Sequence, residues 1–121
     1  MSSPHRIHSD LYNADKSMPD PGNGGKIRVT QDLQICEMVS ATAETRTLVA
    51  PTKPGIRFVL RLMTDGGNVL VTAENCFNVD GDTVATFADA SDILSLISVT
   101  HTSGYRWEIC EGNVGSVSLS A

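Results

Sequence analysis

An all-β domain is what this sequence predicts: an antiparallel β-sandwich of jelly-roll type, or a small barrel, preceded by an extended N-terminal arm. Three observations carry the prediction. From Ile27 onward, short apolar runs alternate with turn signals at a spacing of about ten residues. No segment sustains helical periodicity over three turns. Around Asp65-Gly66-Gly67-Asn68, two runs alternate apolar and polar residues with a period of two, which gives each strand one inward and one outward face.

The arm is assigned to residues 1–26 and the β domain to residues 27–121. The arm holds Pro4, Pro19, Pro21, Gly22, Gly24 and Gly25, and Ile7, Leu11 and Tyr12 are its sizeable apolar groups besides methionines. Proline removes a ladder donor, so Met18 to Gly25 cannot form a helix or a central strand. Ile7, Leu11 and Tyr12 are the candidate contacts if the arm lies on a neighbouring subunit.

The strands expected after it are Ile35–Ser40, Arg46–Ala50, Ile56–Met63, Val69–Ala73, Cys76–Val79, Thr83–Phe87, Ile93–Val99, Tyr105–Cys110 and Ser116–Leu119. Asp89–Ile93 is the one stretch that suits a single helical turn. The best-specified pair is Ile56–Met63 with Val69–Ala73, read as a hairpin closed by Gly66-Gly67. In that register Leu62 faces Val71 and Leu60 faces Ala73, and a one-residue slip would turn the apolar set outward. The outward row then carries Arg57, Val59, Arg61, Met63, Leu70 and Thr72. Arginine and methionine are enriched in protein interfaces, which makes Arg57, Val59, Arg61, Met63 and Leu70 a candidate subunit interface. The last hairpin fits a three-residue loop, Gly112-Asn113-Val114, with Val117 opposite Ile109 and Leu119 opposite Trp107. Trp107, the only tryptophan, becomes a core residue.

Charge is unevenly spread along the chain. Residues 1–61 hold eight of the nine Lys and Arg against six acids, a net of +2. Residues 62–121 hold Arg106 against eight acids, a net of −7. Phosphate contacts need clustered positive charge, so an acidic chain of this kind is not expected to bind nucleic acid. A mildly basic first half could dock on an acidic surface, including the acidic half of another copy. The N-terminus is polar, without the apolar segment of a signal peptide, and no run is long enough to cross a membrane as a helix. Cys36, Cys76 and Cys110 are widely spaced and odd in number, so free thiols are expected rather than a disulfide framework or a zinc site.

Nothing in the sequence spells out a catalytic site. His5 and His8 are three apart in a segment with no helical pattern, unlike the four-residue spacing of zinc-binding helices. His101 falls on an expected turn. Asp80-Gly81-Asp82 offers carboxylates for an ion but is also a common turn dipeptide, and it lacks the alternating acids and terminal Glu of a calcium loop. The chain is therefore expected to be no enzyme and to need no cofactor.

The stretch Thr47–Ser120 runs TLVAPTKPGIRFVLRLMTDGGNVLVTA, then CFNVDGDTVATFADASDILSLISV, then GYRWEICEGN and VSLS. In these residues it resembles a group of bacteriophage virion proteins, most like small capsid decoration, or cement, proteins, which would make Arg57, Val59, Arg61, Met63 and Leu70 a candidate subunit or capsid interface. The resemblance implies a structural protein, made in the host cytoplasm, that stabilises the capsid exterior as a homotrimer. Its partners would be further copies of itself and the major capsid protein, with no membrane and no nucleic acid involved. The alternative implied by the same pattern is a tail-fibre or adhesin domain that binds a host glycan.

Overall fold

The computed structural model of the chain describes residues 16–75, 77–102, 104–110 and 117–121. Ten strands occur among them: β1 Ser17–Met18, β2 Gly25–Ile27, β3 Gln34–Ser40, β4 Glu44–Leu48, β5 Arg57–Asp65, β6 Val69–Ala73, β7 Val84–Phe87, β8 Ile93–His101, β9 Gly104–Ile109 and β10 Ser118–Ser120. They form two five-stranded sheets packed as a sandwich. Sheet A has the order β1-β3-β5-β8-β9 and sheet B the order β10-β7-β6-β4-β2. The fold is all-β and open, not a barrel. The described residues contain no helix, and Asp89–Asp92 is a turn in which the buried Asp92 carboxylate accepts from the Ala88 and Asp89 N–H groups.

The sheets are mixed rather than antiparallel. Up to Ala73 the chain crosses from sheet A to sheet B and back, and each crossing lays a new strand parallel to the last. β1, β3 and β5 are parallel neighbours in one sheet, and β2, β4 and β6 in the other. These are three stacked two-strand coils. From β7 on, every added strand is antiparallel to its neighbour: β7 on β6, β8 on β5, β9 on β8 and β10 on β7.

This overturns the expected central hairpin. β5 pairs with β3 and β8, while β6 pairs with β4 and β7, so Gly66-Gly67 joins two sheets as an arch. The physical reason lies in what the glycines do. Neither Gly66 nor Gly67 has a positive φ, which a two-residue hairpin turn would need. They are small because the arch lies on the preceding one. A Cβ on Gly66 would stand 2.3 Å from the Ser40 carbonyl oxygen, and one on Gly67 2.3 Å from the Thr42 carbonyl carbon. The Gly66 N–H donates to the Ser40 carbonyl at 2.9 Å, the Ser40 hydroxyl donates to the Gly67 carbonyl at 2.7 Å, and the Glu44 N–H donates to the Asn68 carbonyl at 2.9 Å.

The first arch is tied to the second in the same way. The Gly24 N–H donates to the Thr45 carbonyl, and the Thr45 N–H donates to Asn23 Oδ1. At its centre Asp20 accepts from Arg46 Nε at 2.6 Å and from Arg46 Nη2 at 2.9 Å, and Glu44 lies 3.1 Å from the same guanidinium. The Arg46 side chain is fully buried. β1 and the first two residues of β2, at the end of the expected arm, thus lie in edge strands, the positions that Pro- and Gly-rich sequence allows.

The core lies between the sheets. The inward residues of β5 and β6, Phe58, Leu60, Leu62, Val69, Val71 and Ala73, are all buried, and Phe58 packs on Trp107 with ring centroids 5.7 Å apart. Trp107 is a core residue as expected, and its indole N–H donates to the Val49 carbonyl at 2.9 Å. Two further expectations are corrected. Residues 77–80 form bends and turns instead of a strand, because Phe77 plugs the end of the core and the chain then reverses at Gly81, φ +84. β9 and β10 do not pair as a hairpin. They sit in opposite sheets, so Val117 and Leu119 are not beside Ile109 and Trp107 in one ladder. The expected loop of that hairpin, 112–114, lies outside the described residues.

Candidate functional site

Every strand that buries alternate residues must show the others, and the two outer faces differ. On sheet A the cross-strand neighbours Ile35, Val59 and Ser95 make one rank, and Glu37, Arg61 and Ile93 make the next. On the other side of the first rank lie Arg57, Ile97 and Glu108, then Val99 and Arg106. Ile35, Val59, Ile93, Ile97 and Val99 are half-buried by one another, and Val39 and Met63 stand out at 44 % and 46 % exposure. The result is an aliphatic field with charges set into it.

Those charges are paired. Arg61 Nη1 donates to Glu37 at 2.6 Å across the β3–β5 ladder. Arg57 meets Asp32 at 3.1 Å, and the Arg57 backbone N–H donates to the same carboxylate at 2.8 Å. The Arg57 guanidinium and its backbone N–H hold the Asp32 carboxyl below its ordinary value, and Asp32 in turn raises the pKa of Arg57. Arg106 lies 3.4 Å from Glu108. Pairing neutralises the arginines and leaves their aliphatic stems on the surface, which suits contact with another protein.

Arg57, Val59, Arg61 and Met63 therefore share one face, as the alternation implies. Leu70 does not join them. It sits on the outer face of sheet B, because the arch separates β5 from β6. The candidate arm contacts Ile7, Leu11 and Tyr12 lie outside the described residues. The signal that sequence reasoning missed is a repeat. Gln34–Met38 and Phe58–Leu62 have the same inward alternation, and their strands are each followed by a short arch and another strand, so they stack in register up to a shift after Met38. Stacking brings Ile35 and Glu37 beside Val59 and Arg61, and it brings β8 with Ile93 and Ile97 to the far side.

The outer face of sheet B carries Thr45 beside Leu70, Thr86 and Ser118 in one rank, with Lys26, Thr47, Thr72, Val84 and Ser120 in the other. Hydroxyls predominate on it, with Leu70, Val84 and one cation among them.

Elsewhere, Asp80-Gly81-Asp82 is a turn. Asp82 accepts from the Asn78 side chain at 2.9 Å, and among the described residues no three His, Cys, Asp or Glu side chains are grouped to hold a metal ion. Burial pushes the Cys36 thiol up to about 12, while Cys110 is exposed beside Ser95 at the margin of the sheet A face. A cleft of 390 Å³ beyond the ends of β2 and β4 is lined by Arg28, Val29, Thr30, Val49, Ala50, Thr52, Lys53 and Ile56. No protein-family model matches the chain, and no curated protein matches it either.

Proposed function

We propose that this chain is a structural protein of a bacteriophage virion that binds and stabilises the outside of the capsid as a homotrimer, and that it does no catalysis. The observation that carries the reading is the outer face of sheet A. An aliphatic field with Arg61–Glu37, Arg57–Asp32 and Arg106–Glu108 set into it has the composition of a protein-docking surface. Its apolar centre gains free energy on burial at roughly 25 cal/mol per Å². Its ion pairs fix register, because a misplaced partner would leave a charge desolvated and unmatched. A trimer would present three such faces to a shell with repeating sites, and the second and third contacts form at high effective concentration. The Thr47–Ser120 likeness to decoration proteins points to the capsid as that shell.

Mixing the protein with capsids that lack it, followed by sedimentation, tests the reading. Retention in the pellet at saturable stoichiometry is the expected result, and failure to co-sediment at any salt concentration contradicts it. Light scattering of the free protein is expected to give the mass of three chains.

A further inference from the structure

Two features at the same end of the sandwich are unused by the docking face. One is the cleft, where Val29, Val49, Ala50 and Ile56 share the lining with two threonines and with Arg28 and Lys53. Among the described residues Arg28 and Lys53 take part in no ion pair, whereas Arg46, Arg57, Arg61 and Arg106 all do. The cleft is thus a slot of mixed polarity that carries two cations without an ion-pair partner.

The other feature is the loop between β6 and β7. Its tip shows Val79 at 80 % exposure, well above the next most exposed large apolar residue, Leu33 at 50 %. Asp80 beside it is exposed too. The tip is held rigidly. Phe77 is buried at its base and its N–H donates to the Asp82 carbonyl at 2.7 Å. Asn78 Nδ2 donates to the Asp82 carboxylate, the Asp82 N–H donates back to Asn78 Oδ1 at 3.1 Å, and Gly81 closes the turn with φ +84. A preformed loop that displays an apolar tip loses little conformational entropy when it is buried.

Slot and tab match in charge, the apolar tip has an aliphatic part of the lining to meet, and the two lie on different sides of the molecule. The cleft is built on the ends of β2 and β4. The tab continues from β6 toward β9 and β10, to which Asn75 and Thr83 tie it through the Tyr105 and Ser120 carbonyls. We infer that the 78–82 loop of one copy seats in the cleft of the next, with Val79 over Val49 and Ile56 and Asp80 between Arg28 and Lys53. The contact is heterologous, with one different surface from each copy, so repetition closes a three-membered ring when successive copies are related by a rotation of about 120°. It uses loops only and leaves the outer face of sheet A free for the shell. The inference rests on the homotrimer reading and supplies the contact that reading lacks. It also gives the basic first half and acidic second half of the chain a common use.

Sedimentation velocity of three variants against the parent chain tests it, with circular dichroism to confirm the fold. Asp80→Lys and the double variant Arg28→Glu/Lys53→Glu are each expected to weaken association at least about tenfold, the effect of roughly one lost charge contact. Combining all three substitutions in one chain is expected to restore the three-chain species, because the charges are then exchanged rather than removed. If the parent is a trimer and the variants remain trimers, the tab–cleft contact is wrong while the homotrimer reading stands. A parent chain that stays monomeric at every concentration overturns both. Loss of the trimer without recovery in the combined variant overturns the pairing. So does an intact trimer that has lost capsid binding, since the cleft would then take an acidic segment of the shell protein.

Discussion

On sheet A the outward positions are mostly Ile35, Val59, Ile93, Ile97 and Val99 between paired arginines and acids, while on sheet B Thr45, Thr47, Thr72 and Thr86, with serines at the edge, outnumber Leu70 and Val84. Valine and threonine have nearly the same shape and both favour strands. Either would let the sheet form. Replacing hydroxyl by methyl along one face and not along the other is therefore a choice about what touches that face. On the docking reading proposed above, contact falls to sheet A and solvent to sheet B.

The separation of the two faces depends on the arch at Gly66-Gly67, and the largest expected effect comes from breaking it. Gly67→Val is expected to cost about 3 kcal/mol or more, because the new side chain must displace the Thr42 backbone. Urea unfolding measures the loss. A cost near zero would mean that the arches are not stacked and that the faces are not separated as described.

Arg46→Ala is next. It leaves the Asp20 and Glu44 carboxylates without their shared cation in a mostly buried site, at an expected cost of about 3 kcal/mol. The same network sets an acid limit. Burial pushes the Asp20 carboxyl up, but the Arg46 side chain and the Val39 and Gly22 N–H groups outweigh it, so Asp20 lies below its ordinary 3.8. The Ala41 N–H and Arg46 likewise hold Glu44 below 4.5. Carboxyls lowered by folding add stability above their ordinary values, and that stability is lost as the pH falls through the lowered ones. Stability is therefore expected to be flat from about pH 7 to about pH 5 and to drop below about pH 4. In Arg46→Ala the drop is expected to be shallower. An unchanged acid slope in that variant would place the titrating groups elsewhere.

Much of this was legible in the sequence, for a definite reason. Inward and outward residues follow from period two alone, and period two is the same in a hairpin and in an arch. Phe58, Leu60, Leu62, Val69, Val71 and Ala73 therefore point inward in either arrangement. What alternation cannot specify is whether two inward rows lie side by side or face each other across a core. Asp65-Gly66-Gly67-Asn68 suits a hairpin by composition, yet its glycines answer to the Ser40 and Thr42 backbone, contacts that no local pattern reveals. Leu70 was misplaced for that reason alone. Arg46 was hidden by its type, since an arginine at an inward position makes sense only once Asp20 and Glu44 are brought around it.

The smallest effect sharpens the comparison without changing the fold. In a Cys76→Ser background, a thiol reagent is expected to modify the exposed Cys110 in the native protein and to reach Cys36 only on unfolding, since Cys36 is buried and its pKa is raised to about 12. Capsid binding is expected to slow the labelling of Cys110, which borders the sheet A face. Labelling at an unchanged rate on the capsid would move the contact away from β9.

The most direct test sets one face against the other. Val59→Glu places a carboxylate at the centre of the aliphatic field on sheet A, and Thr72→Glu places one on the hydroxyl face of sheet B. Both positions point outward, and neither substitution is expected to cost more than about 1 kcal/mol of stability. Co-sedimentation with capsids is expected to fall at least about tenfold for Val59→Glu, the equivalent of about 1.4 kcal/mol of binding, and to be unchanged for Thr72→Glu. Equal losses, or a loss confined to Thr72→Glu, would contradict the assignment of the docking face to sheet A.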